Sequence, residues 1–136
     1  MDHQAHQAHQ EVAGGIDRIA RTIVDAGLRV HKTLGAGLLE SAYEQCLAYE
    51  LTSRGLTLQR QVALPIVYHG VKLDAGYRLD LLVENSIIVE IRAVEALTRL
   101  HGAQMLTYLK LSGMRLGLLM NFNVAFFKDG VKRFAL

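Results

Sequence analysis

The chain has 136 residues, of which 51% are hydrophobic and 21% are charged, a balance that is typical of one globular domain and excludes an intrinsically disordered protein. Its net charge of +2 permits nucleic-acid binding without indicating it. The single cysteine excludes an intramolecular disulfide and a thiolate metal site.

The chain opens with a repeated His-Gln-Ala unit that places His3, His6 and His9 at three-residue spacing. Nothing in this segment would hold a coordination geometry, so we expect a disordered His- and Gln-rich tail at residues 1–14 rather than a metal site. A single domain is expected at residues 15–136. Because no stretch reaches the roughly 18 apolar residues of a membrane span, we expect a cytoplasmic protein without membrane contact.

Two helices are predicted to follow the tail. Apolar residues recur at three- and four-residue steps over residues 15–34, which predicts an amphipathic helix with Gly35 as its C-terminal cap. A second apolar stripe over residues 39–51 predicts another helix that ends near Gly55.

The middle of the chain changes to the two-residue period of β-strands. His69 and Gly70 form a plausible turn between two strands, and Pro65 indicates a bend or a sheet edge. A three-residue loop centred on Asn85 separates the two strongest strands. The strand candidates are residues 58–68, 71–73, 77–83 and 87–94.

One further helix and one further strand complete the prediction. Thr98 is a suitable N-cap for a helix that reaches Leu111 and is stopped by Gly113. Residues 116–122 read as a buried strand, and residues 121–136 are expected to be less regular. This order of elements predicts a mixed α/β domain with a central sheet.

The two strongest strands each carry an acidic residue. In the first strand Leu79, Leu81 and Val83 are expected to share one apolar face, with Asp80 on the other face. A three-residue loop sets the register so that Asp80 lies directly opposite Glu90. Like charges in such a pair destabilise a sheet, so the pair requires compensation.

Two kinds of compensation are possible for this acidic pair. A divalent ion such as Mg²⁺ takes oxygen ligands from one or two carboxylates and leaves positions for water and phosphate. A charge ladder is the alternative, in which Arg78 and Arg92 neutralise both acids diagonally. The local pattern leaves both open.

The acidic pair lies within a longer motif. Leu-Asp-Leu-Leu-Val, a turn, and Ile-Val-Glu-Ile-Arg-Ala-Val-Glu together resemble the Asp, spacer, Glu-X-Lys core of PD-(D/E)XK nucleases. Arg92 stands at the position of the Lys. The segment Gly37 to Tyr43 is similar to the Gly-x-x-Glu-x-x-Tyr signature of a family of small bacterial proteins within this superfamily. Gln104 to Tyr108 resembles the Gln-x-x-x-Tyr helix motif of its exonuclease-like branches.

The resemblance implies a PD-(D/E)XK nuclease-like core, in which a central mixed β-sheet is flanked by helices. It implies that Asp80 and Glu90 hold Mg²⁺ or Mn²⁺ and that Glu40 supplies a third carboxylate. It also implies that Gln104 and Tyr108 face the acidic centre or the substrate phosphate. From the residues alone, two other roles stay open. Glu40 can be an acid stabilised by the dipole of a helix start, and Gln104 and Tyr108 can belong to a buried hydrogen-bond network.

Three further side chains are assigned from their chemistry. Arg92 stays protonated, so it can stabilise charge on a phosphate but is a poor proton acceptor. Tyr43 is expected to pack in the core, and Glu44 is expected to be solvated.

The leading functional hypothesis is a metal-dependent nuclease that acts on DNA rather than RNA, with Arg92 contacting the scissile phosphate. The alternative is a catalytically inactive nuclease-fold protein that serves as a nucleic-acid-binding or scaffold module. A helical protein-interaction module has no distinguishing feature in its favour. A homodimer or association with a larger partner is expected, because so short a chain has little surface beyond its core to enclose a duplex.

Overall fold

The computed structural model describes the backbone of residues 2–136 and the side chains of residues 14–136. The helices are α1 (Asp2–Leu34), α2 (Glu40–Ser53) and α3 (Arg99–Ser112). The strands are β1 (Leu58–Ala63), β2 (Ile66–Tyr68), β3 (Val71–Leu73), β4 (Arg78–Val83), β5 (Ile87–Arg92), β6 (Leu116–Asn121) and β7 (Val131–Ala135). A short 3₁₀ helix, Phe127–Gly130, precedes β7.

The first helix begins earlier in the chain than predicted. Helix α1 starts at Asp2, whereas the apolar stripe predicted a start near Gly15. Metal binding by His3, His6 and His9 concerns side chains outside the described residues, and the division into tail and domain stays a prediction. In the part of the chain that the structure describes, no helix is both long and apolar enough to cross a bilayer.

A five-stranded sheet forms the centre of the domain, with the strand order β1-β4-β5-β6-β7. Strands β5 and β6 run parallel, whereas the other neighbouring pairs are antiparallel. The parallel pair is joined through α3, because a parallel connection requires a crossover. The mixed α/β architecture with a central mixed sheet is therefore confirmed.

Helices cover both faces of the sheet. The apolar stripes of α1 and α2 pack on one face, around Ile23, Tyr43 and Leu47. Helix α3 packs on the other face through Met105 and Leu109. Strand β5 alternates between these two cores, which is why four of its six residues are apolar.

Most of the predicted helix ends, turns and strand breaks are confirmed. The backbone N–H of Gly35 donates to His31 and ends α1 at Leu34. His69 and Gly70, both at positive φ, form the turn of the β2–β3 hairpin. The predicted strand 58–68 is divided into β1 and β2 at Leu64 and Pro65.

Two expectations about the strands are wrong. Leu79 does not share a face with Leu81 and Val83, because it packs with Leu82 on the α3 side. The alternation of β4 side chains between the two faces of the sheet breaks at Asp80. There, carboxylates replace backbone carbonyls as hydrogen-bond acceptors. The C-terminal segment also contains a regular strand, β7, which pairs antiparallel with β6 at the sheet edge.

Candidate metal centre

The β4–β5 hairpin has the predicted register. Its ladder pairs Val83 with Ile87 at the loop and Leu81 with Val89 further along. The loop contains Asn85 in the left-handed conformation that such loops use. Asp80 and Glu90 follow as the next opposed positions, and the regular ladder stops before them.

The two acids bind the backbone of the opposite strand. The backbone N–H of Asp80 donates to Oε2 of Glu90 at 2.8 Å. The backbone N–H of Ile91 donates to Oδ2 of Asp80, also at 2.8 Å. Each carboxylate therefore replaces a backbone carbonyl as an acceptor, which explains why the ladder ends here and why both side chains are held in fixed orientations.

Arg92 contacts both carboxylates. Its Nη1 lies 3.3 Å from Oδ2 of Asp80, and its Nη2 lies 3.5 Å from Oε1 of Glu90. Arg78 does not take part in the charge ladder that was one of the two alternatives, because its guanidinium lies 3.6 Å from Oδ1 of Asp74. The charge ladder is therefore reduced to one cation between two acids.

Glu90 is the most deeply buried acid of this group, with 3% of its surface exposed. Burial, reinforced by the negative charge of Asp80, raises the pKa of Glu90 from 4.5 to about 8, against the lowering effect of the Asp80 N–H and of Arg92. Arg92 therefore does not fully compensate the pair, and Glu90 retains its proton at neutral pH unless another cation is bound.

A cavity of about 380 Å³ lies between this hairpin and α2. Its wall carries Glu40 and Glu44 from the helix opposite Asp80 and Arg92. The cavity is lined by Glu40, Ser41, Glu44, Gln61, Asp80, Ile91 and Arg92. Helix α2 thus brings its carboxylates to the same opening as the hairpin.

Glu44 is not solvated as expected. It is 7% exposed and accepts hydrogen bonds from Nε and Nη2 of Arg60 at 3.2 and 2.9 Å. The Nε2 group of Gln61 donates to its other oxygen at 2.6 Å. The expectation failed because the partners, Arg60 and Gln61, lie on β1, a strand whose position relative to α2 is set by the tertiary fold.

Tyr43 fixes the start of α2, where Glu40 lies in the first turn. Its hydroxyl donates to the carbonyl of Gly35 at 2.6 Å and accepts the backbone N–H of Leu38 at 3.1 Å. Its ring stacks on Phe122 with 4.6 Å between the centroids. The expected core role of Tyr43 is confirmed, and the side chain also clamps the loop that positions Glu40.

Helix α3 brings Tyr108 close to the acidic pair. Desolvation, followed by the negative charge of Glu90, raises the pKa of Tyr108 above its ordinary value. Gln104 is half-buried one turn earlier, and among the described side chains no hydrogen bond joins it to the acids or to Arg92. His101 accepts the backbone N–H of Thr98 through Nδ1 at 2.9 Å, as part of the helix cap.

The chemistry of these side chains fits a divalent cation. Four carboxylates and two guanidiniums lie in or next to the cavity. Glu40, Glu44, Asp80 and Arg92 line it, Glu90 contacts Arg92, and Arg60 contacts Glu44. When all four acids are ionised, two negative charges are left, which equals the charge of one divalent ion. The donors are hard oxygens, which Mg²⁺ and Mn²⁺ prefer.

The side chains from residue 14 onward contain no group of three or more His, Cys, Asp or Glu residues arranged to hold a metal ion. Glu40 lines the cavity with Asp80 without completing such a group. An ion held by Asp80 and Glu90 would therefore take its remaining ligands from water and phosphate, as Mg²⁺ commonly does.

Comparison with known proteins gives one match. Residues 17–134 match the model of the PD-(D/E)XK nuclease superfamily. No curated protein and no solved structure shows a significant match.

Proposed function

Because the chain belongs to the PD-(D/E)XK nuclease superfamily, we propose that it is a Mg²⁺- or Mn²⁺-dependent nuclease with DNA as its substrate. Membership of the superfamily implies a nucleic-acid substrate. The observation that carries the proposed metal dependence is the state of Glu90, which is buried beside Asp80 with its pKa raised to about 8. Such a site favours a cation that replaces the proton.

Each residue of the centre has a separate role in the proposed hydrolysis. Asp80 and Glu90 hold the ion, and Glu40 lines the cavity that Asp80 and Arg92 also line. The bound ion supplies Lewis acidity and lowers the pKa of water. Arg92 binds the scissile phosphate and stabilises its developing charge, since its guanidinium stays protonated. Tyr108 borders the substrate on the α3 side.

The segment Gly37 to Tyr43, which matches the Gly-x-x-Glu-x-x-Tyr signature, also has a physical basis. This supports assignment to the family of that name. Gly37 has a φ of 100°, a conformation that residues with a Cβ rarely adopt. Tyr43 ties the preceding loop to α2 through two hydrogen bonds. Glu40 lies between them at the helix start. The signature therefore encodes a loop that delivers one carboxylate to the cavity.

Gln104 contacts substrate phosphate, and the enzyme acts in the cytoplasm as a homodimer. These assignments extend the sequence-based expectations. The alternative, a nuclease-fold protein without catalysis that binds nucleic acid or acts as a scaffold, draws on Arg92, whose guanidinium lies within 3.5 Å of both acids.

Cleavage assays on linear, circular and single-stranded DNA and on RNA test the proposal. The wild type should cut DNA in Mg²⁺ or Mn²⁺ and not in EDTA. Glu90→Gln should lower the rate at least ~100-fold, since even residues that support a metal ligand typically contribute 10- to 100-fold. Glu50→Gln, on the same domain and paired with Arg54, should cut normally.

Arg92→Lys provides the second comparison, because it keeps the charge and removes the planar fork. We expect Arg92→Lys to retain cleavage. If wild type and Arg92→Lys both bind DNA without cutting any substrate, the scaffold alternative is correct.

A further inference from the structure

Gln61 lies opposite Asp80 at an interruption of the sheet. On either side of it, Arg60 pairs with Leu81 and Val62 pairs with Leu79 in one continuous register. Gln61 itself has a φ of 52°, in the left-handed region that a residue with a long side chain rarely adopts. Such backbone strain persists where surrounding contacts hold it, and here it lies beside the acidic centre.

The side chain of Gln61 joins two carboxylates. Its Nε2 donates to Oε1 of Glu44 at 2.6 Å and to Oδ1 of Asp80 at 3.3 Å. A primary amide nitrogen carries two hydrogens, so these two acceptors account for both. The presence of two carboxylates also fixes which end of the amide faces them, because the carbonyl oxygen would be repelled.

Glu44 provides a rigid support for this contact. It is buried against the sheet, and Arg60 holds its other oxygen with two hydrogen bonds, at 3.2 and 2.9 Å. A carboxylate that is fixed in this way cannot turn away from the amide of Gln61. The orientation of Gln61 is therefore determined by α2 and β1 together.

Asp80 is consequently held at both oxygens. Its Oδ2 accepts the backbone N–H of Ile91 at 2.8 Å, and its Oδ1 accepts the amide of Gln61. Each carboxylate oxygen has further lone-pair capacity, so an ion can bind while the hydrogen bond remains. Groups that hydrogen-bond a ligating carboxylate orient it and strengthen metal binding.

We propose that Gln61 is a positioning residue of the metal centre, which orients the Asp80 carboxylate toward a divalent cation and is itself oriented by Glu44. The role rests on the proposed metal-dependent function. Gln61 lies outside the three sequence motifs, and its strained backbone follows from the need to reach both acids from one strand position.

Divalent-ion binding to the full chain tests this role by titration calorimetry with Mg²⁺ and Mn²⁺. Gln61→Met keeps the side-chain length and backbone strain but removes the donor, whereas Gln61→Gly removes the donor and also relieves the strain. Both should weaken divalent-ion binding about 10-fold, within the range for supporting residues. Gln59→Met is the matched control, because Gln59 is an exposed glutamine of the same strand. It should bind as wild type does.

A second measurement does not depend on a metal. Loss of the Gln61 donor should loosen Asp80 and its bond to the Ile91 amide, so hydrogen exchange at Ile91 should become about 10-fold faster in Gln61→Met, the size expected for one weakened hydrogen bond. Exchange at this amide should be unchanged in Gln59→Met.

The two measurements separate the possible failures. If the wild type binds no divalent ion, the proposed metal dependence is wrong, and the Ile91 exchange rate still decides whether Gln61 positions Asp80. If both Gln61 variants bind the ions as the wild type does, or if Ile91 exchanges at the wild-type rate in Gln61→Met, the positioning role is wrong.

Discussion

The protonation state of Glu90 depends on the charged groups beside its carboxyl group. It is almost fully buried, its nearest acid is Asp80, and Arg92 is shared between the two. A Lys at position 92 would present a compact ammonium that can adjust its pKa, whereas Arg offers a fixed charge. The Arg therefore suits a role in holding phosphate, and activation of water falls to the proposed metal ion.

The raised pKa of Glu90 predicts how the stability of the metal-free protein depends on pH. The folded pKa of about 8 lies above the ordinary value of 4.5, so the folded state keeps a proton that the unfolded chain releases. The stability from this proton is complete below about pH 4.5 and is lost as the pH rises through 8. Glu90→Gln mimics the protonated acid and does not titrate. In EDTA, its free energy of unfolding relative to wild type should therefore increase from pH 5 to pH 9.

Urea unfolding at several pH values measures this difference. Glu50→Gln, at a half-buried acid of α2 that pairs with Arg54, serves as the control and should lack this rise. A constant difference for Glu90→Gln as well would show that Glu90 is ionised in the folded protein across this range.

Among the elements, the loop between α1 and α2 determines where Glu40 is placed. Tyr43 is fully buried and bonds to the loop at both ends, at Gly35 and Leu38. Its ring also stacks on Phe122, which follows β6. A single tyrosine thus connects the helix start, the loop and the sheet.

Removal of one hydroxyl should show how much this connection contributes. Tyr43→Phe keeps the stacked ring but leaves the Leu38 N–H and the Gly35 carbonyl without that partner. We expect a loss of about 1–3 kcal/mol in the free energy of unfolding, measured by urea denaturation. Tyr49→Phe removes a hydroxyl from the same helix at a site that is 77% exposed, and it should change stability little. Equal effects of the two substitutions would contradict the clamp.

Elements with local signals were predictable from the sequence. Helix ends at Gly35 and Gly113, the turn at His69 and the register of the β4–β5 hairpin all follow from residues close in the chain. Strand β7 was missed because only its edge pairing with β6 defines it, and most of its side chains are exposed.

The supports of the site were not predictable in the same way. Glu44, Arg60 and Gln61 meet Asp80 only when α2, β1 and β4 are assembled, and no local pattern encodes that meeting. The predicted face of Leu79 was wrong for a related reason. The carboxylates of the acidic pair replace backbone carbonyls as hydrogen-bond acceptors and break the alternation of side chains in β4.

In the complete domain, residues from both layers of helices lie near the place where β4 and β5 stop pairing. Helix α2 supplies carboxylates from one face of the sheet, and α3 brings Tyr108 to the other. The resulting centre has more negative than positive charge, and Glu90 holds a proton in the absence of a further cation. A divalent ion bound by Asp80 and Glu90 would supply that further cation.

Calorimetric titration of Mg²⁺ or Mn²⁺ at pH 7, in buffers of different ionisation enthalpy, measures whether an ion binds in exchange for the Glu90 proton. Because the pKa of Glu90 is raised to about 8, ion binding at this pH should release protons in the wild type. Asp80→Asn should weaken binding, and Glu90→Gln should both weaken it and abolish the proton release. The proposed metal centre is wrong if no ion binds. It is also wrong if ion binding releases no proton and has the same affinity in both variants as in the wild type.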